Sequence, residues 1–169
     1  MDVDRLLENA KNLYGINFIE IVLHRDMIGR VFILYTEKMR YVLKVYRSFS
    51  TTNAEQTACI LDYLDRNEFP AVKIVTNVEN GKVSFFDFHD GLCAAILFEY
   101  VDGEEPDRQA EVERIGRQVG ELHSLMEQYP HELINRSKYE YVDEYIAFMR
   151  QNEFEQRKID ELEQYGDQL

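Results

Sequence analysis

The sequence predicts an α+β fold: an antiparallel sheet of five or six strands, interrupted by one helix, then an all-helical last third. Three observations carry that expectation. Between residues 18 and 101, β-branched and aromatic segments follow one another across short polar turns, the pattern of an antiparallel meander. In their midst, residues 54–64 repeat apolar positions at steps of three and four. Beyond residue 101 the spacing is helical and acidity rises. Residues 1–100 carry 11 basic and 14 acidic groups, whereas residues 101–169 carry 8 and 18.

The elements follow in order. Leu6, Leu7, Ala10 and Leu13 recur at helical spacing between Asp4 and Tyr14, and Gly15 is a natural C-terminal stop. FIEIVLH (18–24) and RVFILYTE (30–37) are strands joined by a turn from Asp26 to Gly29, and RYVLKVYR (40–47) is a third. Polar residues 48–53 offer a helix cap before 54–64, whose Ala58, Leu61 and Leu64 share a face. Pro70 precedes the strand VKIVTNV (72–78). Asn80-Gly81 turns the chain into KVSFFDF (82–88), and His89 to Gly91 turns it again into LCAAILFEYV (92–101), the most apolar strand. A helix over 109–128 carries a stripe of Val112, Ile115, Val119, Leu122, Leu125 and Met126, and ends at Tyr129-Pro130. Within it, Gly116 and Gly120 predict close approach of another backbone, and His123 predicts a helix-packing residue. A last helical region holds Tyr141, Val142, Tyr145, Ile146 and Met149, then Ile159 and Leu162.

Composition excludes several classes of function. At 169 residues and 45% apolar, the chain can bury one sizeable core. A net charge of −13 repels phosphate backbones and anionic lipid, so neither nucleic acid nor membrane is expected as a partner. The longest apolar run, CAAILF (93–98), is far too short to span a bilayer, and MDVDRLLENA lacks the apolar heart of a signal peptide. Cys59 and Cys93 sit among apolar neighbours and read as reduced thiols, which predicts a cytoplasmic protein. His24, His89, His123 and His131 share no ligand spacing with cysteines or carboxylates, so no metal site is expected.

The stretch LHRDMIGRVFILYTEKMRYVLKVYR (23–47) is the most informative. A tight turn between two strands can lay backbone N–H groups over phosphates, and an inward-pointing lysine on the next strand can reach them. Here the turn leads to Gly29-Arg30-Val31 and the next strand carries Val42-Leu43-Lys44, with Glu55 at the start of the following helix. Alone, a lysine in an apolar strand is ordinarily a snorkelling residue, and an acid at a helix start complements the macrodipole. The order of the segments is what points further.

In that order the chain resembles the aminoglycoside phosphotransferase/choline kinase family of kinase-like proteins, over roughly residues 15–165. The matching segments are VLKVYR around Lys44, AEQTACILDYL with Glu55, FPAVKIV (69–75), ILFEYVDGEEP (96–106) as a hinge, and IGRQVGELHSLM (115–126). The resemblance implies a kinase-like small lobe over 1–101, with hinge and first large-lobe helices over 102–169. It implies that ATP binds with Mg²⁺, that Lys44 meets the phosphates, and that Glu55 is its ion-pair partner. Leu23, Val31 and Val42 would lie above adenine and Phe98 behind it, with the backbones of Glu99 and Val101 as the hinge. In the glycine-turn pattern of protein kinases, His24 and Asp26 stand where two glycines would be and Gly29 remains, so Asp26 brings a negative charge beside the triphosphate.

No HxDxxxxN segment, the family's catalytic loop, occurs in the sequence, and DFHDG (87–91) precedes the hinge and reads as a hairpin turn. The expectation is therefore the front part of a small-molecule phosphotransferase, truncated before the catalytic loop, with no catalytic or metal-binding residue of its own. The parent substrate would be a small, cationic molecule bearing a hydroxyl. The uncovered stripe of 109–128 predicts a homodimer through the helical tail. The alternative is a non-catalytic interaction module that binds a protein partner through that tail. Tyr139, Tyr141 and Tyr145 are expected to pack in a core or interface.

Overall fold

The computed structural model describes residues 3–89, 91–103, 111–133 and 138–151, together with 156, 158–160 and 162. Its elements are helix α1 (Val3–Tyr14), strands β1 (Glu20–Asp26), β2 (Gly29–Tyr35) and β3 (Arg40–Tyr46), helix α2 (Thr51–Arg66), strands β4 (Ile74–Val75), β5 (Ser84–Phe88) and β6 (Gly91–Glu99), and helices α3 (Val112–Met126) and α4 (Lys138–Gln151). Six strands form one antiparallel sheet in the order β1-β2-β3-β6-β4, with β5 also paired to β6.

Both sheet faces are covered. On one lie Leu6, Ala10 and Tyr14 of α1, packed with Phe18, Ile21, Phe32, Leu34, Leu43, Val45, Cys93, Ala95 and Leu97. On the other, Ala54 and Ala58 of α2 meet Tyr46, Ala94, Ile96 and Phe98. Strand periodicity explains the division, because alternate residues point to opposite faces. It also explains why residues 93–98 read as an unbroken apolar run: β6 is central and buried on both sides. Small side chains at 54, 58 and 94 let α2 lie close to the sheet.

Element bounds differ from the sequence reading, most of all at β4. Helix α2 is longer at both ends than 54–64. The strand expected over 72–78 shrinks to Ile74–Val75. Its reason is Asn77, whose Oδ1 accepts hydrogen bonds from the backbone N–H groups of Glu79 (3.1 Å) and Gly81 (2.7 Å). That side chain takes over backbone donors as an Asx turn, and Asn80 adopts the left-handed φ of 63° that such a turn favours.

Helix α3 buries none of its residues, with Val112 65% and Val119 46% exposed. It is tied to α2 at its C-terminal end, where the Tyr63 hydroxyl donates to the carbonyl oxygen of Leu125 (3.0 Å) and the Tyr63 ring meets Tyr129 edge-on. Among the described residues, the expected backbone approach at Gly116 and Gly120 does not occur, since none of them lies within 4 Å of a Cβ built at either. His123 is exposed rather than packed, in the last turn where a helix favours positive charge. Helix α4 buries Ile146 and Met149 against Ile159, with Tyr145 and Leu162 beside them. Phe148 of α4 packs on Phe49, their centroids 5.2 Å apart. The side chains of Tyr139 and Tyr141 lie outside the described residues.

Candidate functional site

A cleft of about 460 Å³ opens between the β1–β2 turn, strands β2 and β3, and the first turns of α2. It is lined by Arg25, Met27, Ile28, Gly29, Val31, Lys44, Tyr46, Ser50, Asn53 and Thr57. Cross-strand register builds its wall in two rows on the α2 side of the sheet. Arg25, Val31, Lys44 and Ile96 stand side by side in one, and Val22, Ile33, Val42, Phe98 and Ile74 in the other. Two residues along β3 from Lys44, on the same face, Tyr46 presents its ring 4.6 Å from Nζ. The Tyr46 hydroxyl donates to Thr57 Oγ1 (3.1 Å), and the Thr57 hydroxyl donates to the carbonyl oxygen of Asn53 (2.7 Å).

The turn over the cleft is tight for identifiable reasons. A Cβ on Gly29 would meet the carbonyl oxygen of Val45 at 2.8 Å, so β2 can approach β3 there only with glycine. Asp26 does not leave a free negative charge beside the cleft. Arg47 Nη2 reaches its Oδ1 at 2.5 Å and also donates to the Met27 carbonyl oxygen (2.9 Å), while Arg30 Nε lies 3.8 Å from Oδ2. A register shift between Leu23 and Arg25 makes His24 an extra residue and swings Arg25 opposite Val31. The one HxD triplet of the chain, His24-Arg25-Asp26, is thus part of this turn, with five strands, β2 to β6, between it and the hinge that a catalytic loop would follow.

Several expected site residues converge. Val31, Val42 and Lys44 share the α2 face of the sheet, and Phe98 pairs with Val42 on the same row. In the segment expected as the hinge, the N–H of Glu99 donates to the Lys73 carbonyl (3.0 Å) and that of Tyr100 to the Arg40 carbonyl (3.3 Å), while Val101 is 69% exposed. The guanidinium of Arg40 lies 4.0 Å from the Tyr100 ring centroid and pairs with Asp102, fixing the segment that leaves β6.

Others do not converge. Leu23 pairs with Phe32, in the row that faces α1, and Val22 takes the cleft-side position. Glu55 is exposed, and no ion pair joins it to Lys44. The reason is helical phase: Asn53 and Thr57 share the cleft side four residues apart, and Glu55 lies midway between them, on the far side of the helix. Asp87 points outward from β5 in a tight β5–β6 turn, where Phe88 pairs with Gly91; Asp90 lies outside the described residues.

Tyr46, Asn53, Thr57 and Arg25 line the cleft although the sequence reading does not single them out. The first three were readable in principle, Tyr46 as the i+2 neighbour of Lys44 and the others as an i, i+4 pair on α2. Arg25 was hidden by the bulge.

A model of the phosphotransferase enzyme family matches residues 21–168. The chain belongs to that family. Its fold is kinase-like, as its solved neighbours show. Amicoumacin kinase in complex with AMP-PNP, Ca²⁺ and Ami superposes with a TM-score of 0.65 at 20% identity, over 100% of this chain and 55% of that one. A microcompartment-associated aminopropanol kinase gives 0.57 at 20% identity, over 73% of this chain and 40% of the other. Spectinomycin phosphotransferase in complex with ADP and spectinomycin gives 0.55 at 14% identity, over 89% and 46%. The chain therefore spans about half the length of these kinases. No curated protein sequence matches it significantly.

The phosphotransferase fold brings with it the expectation of a nucleotide and a divalent cation. Beside the apolar Met27, Ile28 and Val31, the cleft's polar side chains are two cations, hydroxyls and an amide, donors suited to phosphate oxygens. Mg²⁺ is held through carboxylates and phosphates. None of the described lining residues is a carboxylate, so they do not fit Mg²⁺.

Proposed function

We propose that this chain is the nucleotide-binding part of an ATP-dependent phosphotransferase that passes a γ-phosphoryl group to a hydroxyl of a small molecule. The observation that carries this reading is the meeting of Lys44, Arg25 and the Gly29 turn in one cleft below the sheet. In a chain of net charge −13, two cations beside backbone N–H groups of a tight turn make a local site for a polyanion. Lys44 would hold the α and β phosphate oxygens. Val31, Val42 and Phe98 would enclose the adenine, and the Glu99 carbonyl and Val101 N–H would pair with its edge. Residues 1–101 form the nucleotide half in this reading, and 102–169 the hinge and start of the acceptor half.

The acceptor would be a small cationic molecule, since residues 101–169 carry 18 acidic and 8 basic groups. An amino alcohol of the aminopropanol kind has that chemistry. A cytoplasmic setting accords with Cys59 and Cys93, neither of which is in a disulfide. Among the described residues, no helix is long and apolar enough to cross a membrane.

Titration calorimetry of the chain with ATP tests the reading. Lys44→Ala should weaken binding about tenfold or more, the loss of a charge-assisted contact, with an unchanged unfolding midpoint. Equal affinity in the two proteins would overturn it. Residues 1–169 alone should turn over no aminoglycoside, choline-like alcohol or sugar. A second reading is favoured by α3, whose Val112 and Val119 are exposed and whose other stripe residues are only half-buried: the helical tail pairs two copies of this chain.

A further inference from the structure

We infer that Tyr46 is the positioning residue for Lys44, so that this chain seats its cleft lysine on an aromatic ring tied to α2 by hydroxyls, in place of a carboxylate. The inference rests on the reading of the cleft as a nucleotide site.

Geometry supplies the seat. Lys44 Nζ lies 4.6 Å from the Tyr46 ring centroid, inside the range of about 6 Å over which a ring face attracts an ammonium. The ring cannot swing away, because Tyr46 is buried and its hydroxyl is fixed on Thr57, itself bonded to the Asn53 carbonyl of α2. No acid of α2 competes for the ammonium. Glu55 is exposed on the far side of the helix. Asp62 is paired with Lys82 and Arg66, and Asp65 with Lys73.

The two kinds of seat differ chemically. A carboxylate partner neutralises an ammonium and competes with phosphate for its protons. A ring quadrupole orients the ammonium and leaves its charge available. The seat lies on β3 itself, two residues from the lysine, and its hydroxyl on Thr57 couples the orientation of the ring to α2.

The experiment uses the full chain, with two readouts. The first is the NMR shift of the Lys44 ε-methylene protons, which a ring face moves upfield of ordinary lysines without any nucleotide. The second is the dissociation constant for AMP-PNP by calorimetry. Tyr46→Phe keeps the ring, so it should keep the upfield shift and bind within about twofold of the parent chain. Tyr46→Leu should return the shift to ordinary values and weaken AMP-PNP about fivefold, the lysine having to be ordered again on binding. Glu55→Gln should alter neither. An ordinary Lys44 shift in the unaltered chain would overturn the seat, and this holds even should Tyr46→Leu fail to fold. So would a loss in Glu55→Gln equal to that in Tyr46→Leu. If AMP-PNP does not bind the unaltered chain while its Lys44 shift is upfield, the nucleotide reading fails and the seat stands.

Discussion

Strand β6 and helix α3 are both marked by apolar residues in the sequence, yet one is buried on both faces and the other buries nothing. The difference lies in partners, not in composition. Strand β6 sits between α1 and α2 and pairs with β3, β4 and β5. Among the described residues, Tyr63 ties the C-terminal end of α3 to α2, at the Leu125 carbonyl and through the Tyr129 ring just beyond the helix, while Val112 and Val119 face outward. An amphipathic stripe reports that a helix has a side to bury; what buries it must come from elsewhere.

The largest expected effect breaks the comparison at its two poles. Leu97 is fully buried between the sheet and α1. Leu97→Ala should cost about 2–5 kcal/mol, the range for a leucine removed from a packed core. Val119→Ala should cost about 0.5 kcal/mol or less, as for exposed positions. Urea unfolding of the two variants measures both. Comparable losses would mean that α3 is covered in solution.

A solution state in which α3 is covered has a natural form, a second copy of the chain. Each large apolar side chain of the stripe that became fully buried would contribute about 1.5–3 kcal/mol. Light scattering should then give about twice the 20.1 kDa of one chain. Replacing Ile115 and Leu122 together by lysine should return the single-chain mass. A monomer at high concentration, free of aggregation, would sink the dimer.

The same contrast governs what was legible beforehand. Order and type of the elements followed from periodicity and turn residues, because β6 and its neighbours obey local rules that their burial only reinforces. The strand expected over 72–78 is cut short because Asn77, inside that span, closes a turn onto Glu79 and Gly81. In the site, Lys44, Val31 and Val42 were readable from alternation along strands. Leu23 and Arg25 were not, since one bulge residue reverses which side chain faces the cleft. Glu55 failed on phase: the order strand-lysine, helix-glutamate says nothing of which side of the helix the acid occupies. The charge of Asp26 looked unfavourable in one dimension, and Arg47, 21 residues away, compensates it in three.

The smallest expected effect concerns how α2 is held from outside the cleft. Asp62 is kept below its ordinary 3.8, first by the hydrogen bond from Lys82 and then by the nearby charges of Lys82 and Arg66, with burial opposing. Lys82 lies just before β5, so this pair ties the loop from β4 to α2. A carboxyl group whose folded pKa is depressed binds more protons when unfolded. Its contribution is therefore complete above about pH 4 and is lost as pH falls through the lower folded value. Both side chains are partly exposed, which limits the contribution to about 0.2–1 kcal/mol. Lys82→Met should lower stability by that amount at pH 6, and the gap between the two proteins should close as the buffer is taken from pH 4 to pH 2. Fluorescence-monitored urea unfolding across that series measures it, with tyrosine as the probe because the chain has no tryptophan. A gap that persists unchanged at pH 2 would overturn the ion pair as its source, since that pair is lost once Asp62 is protonated.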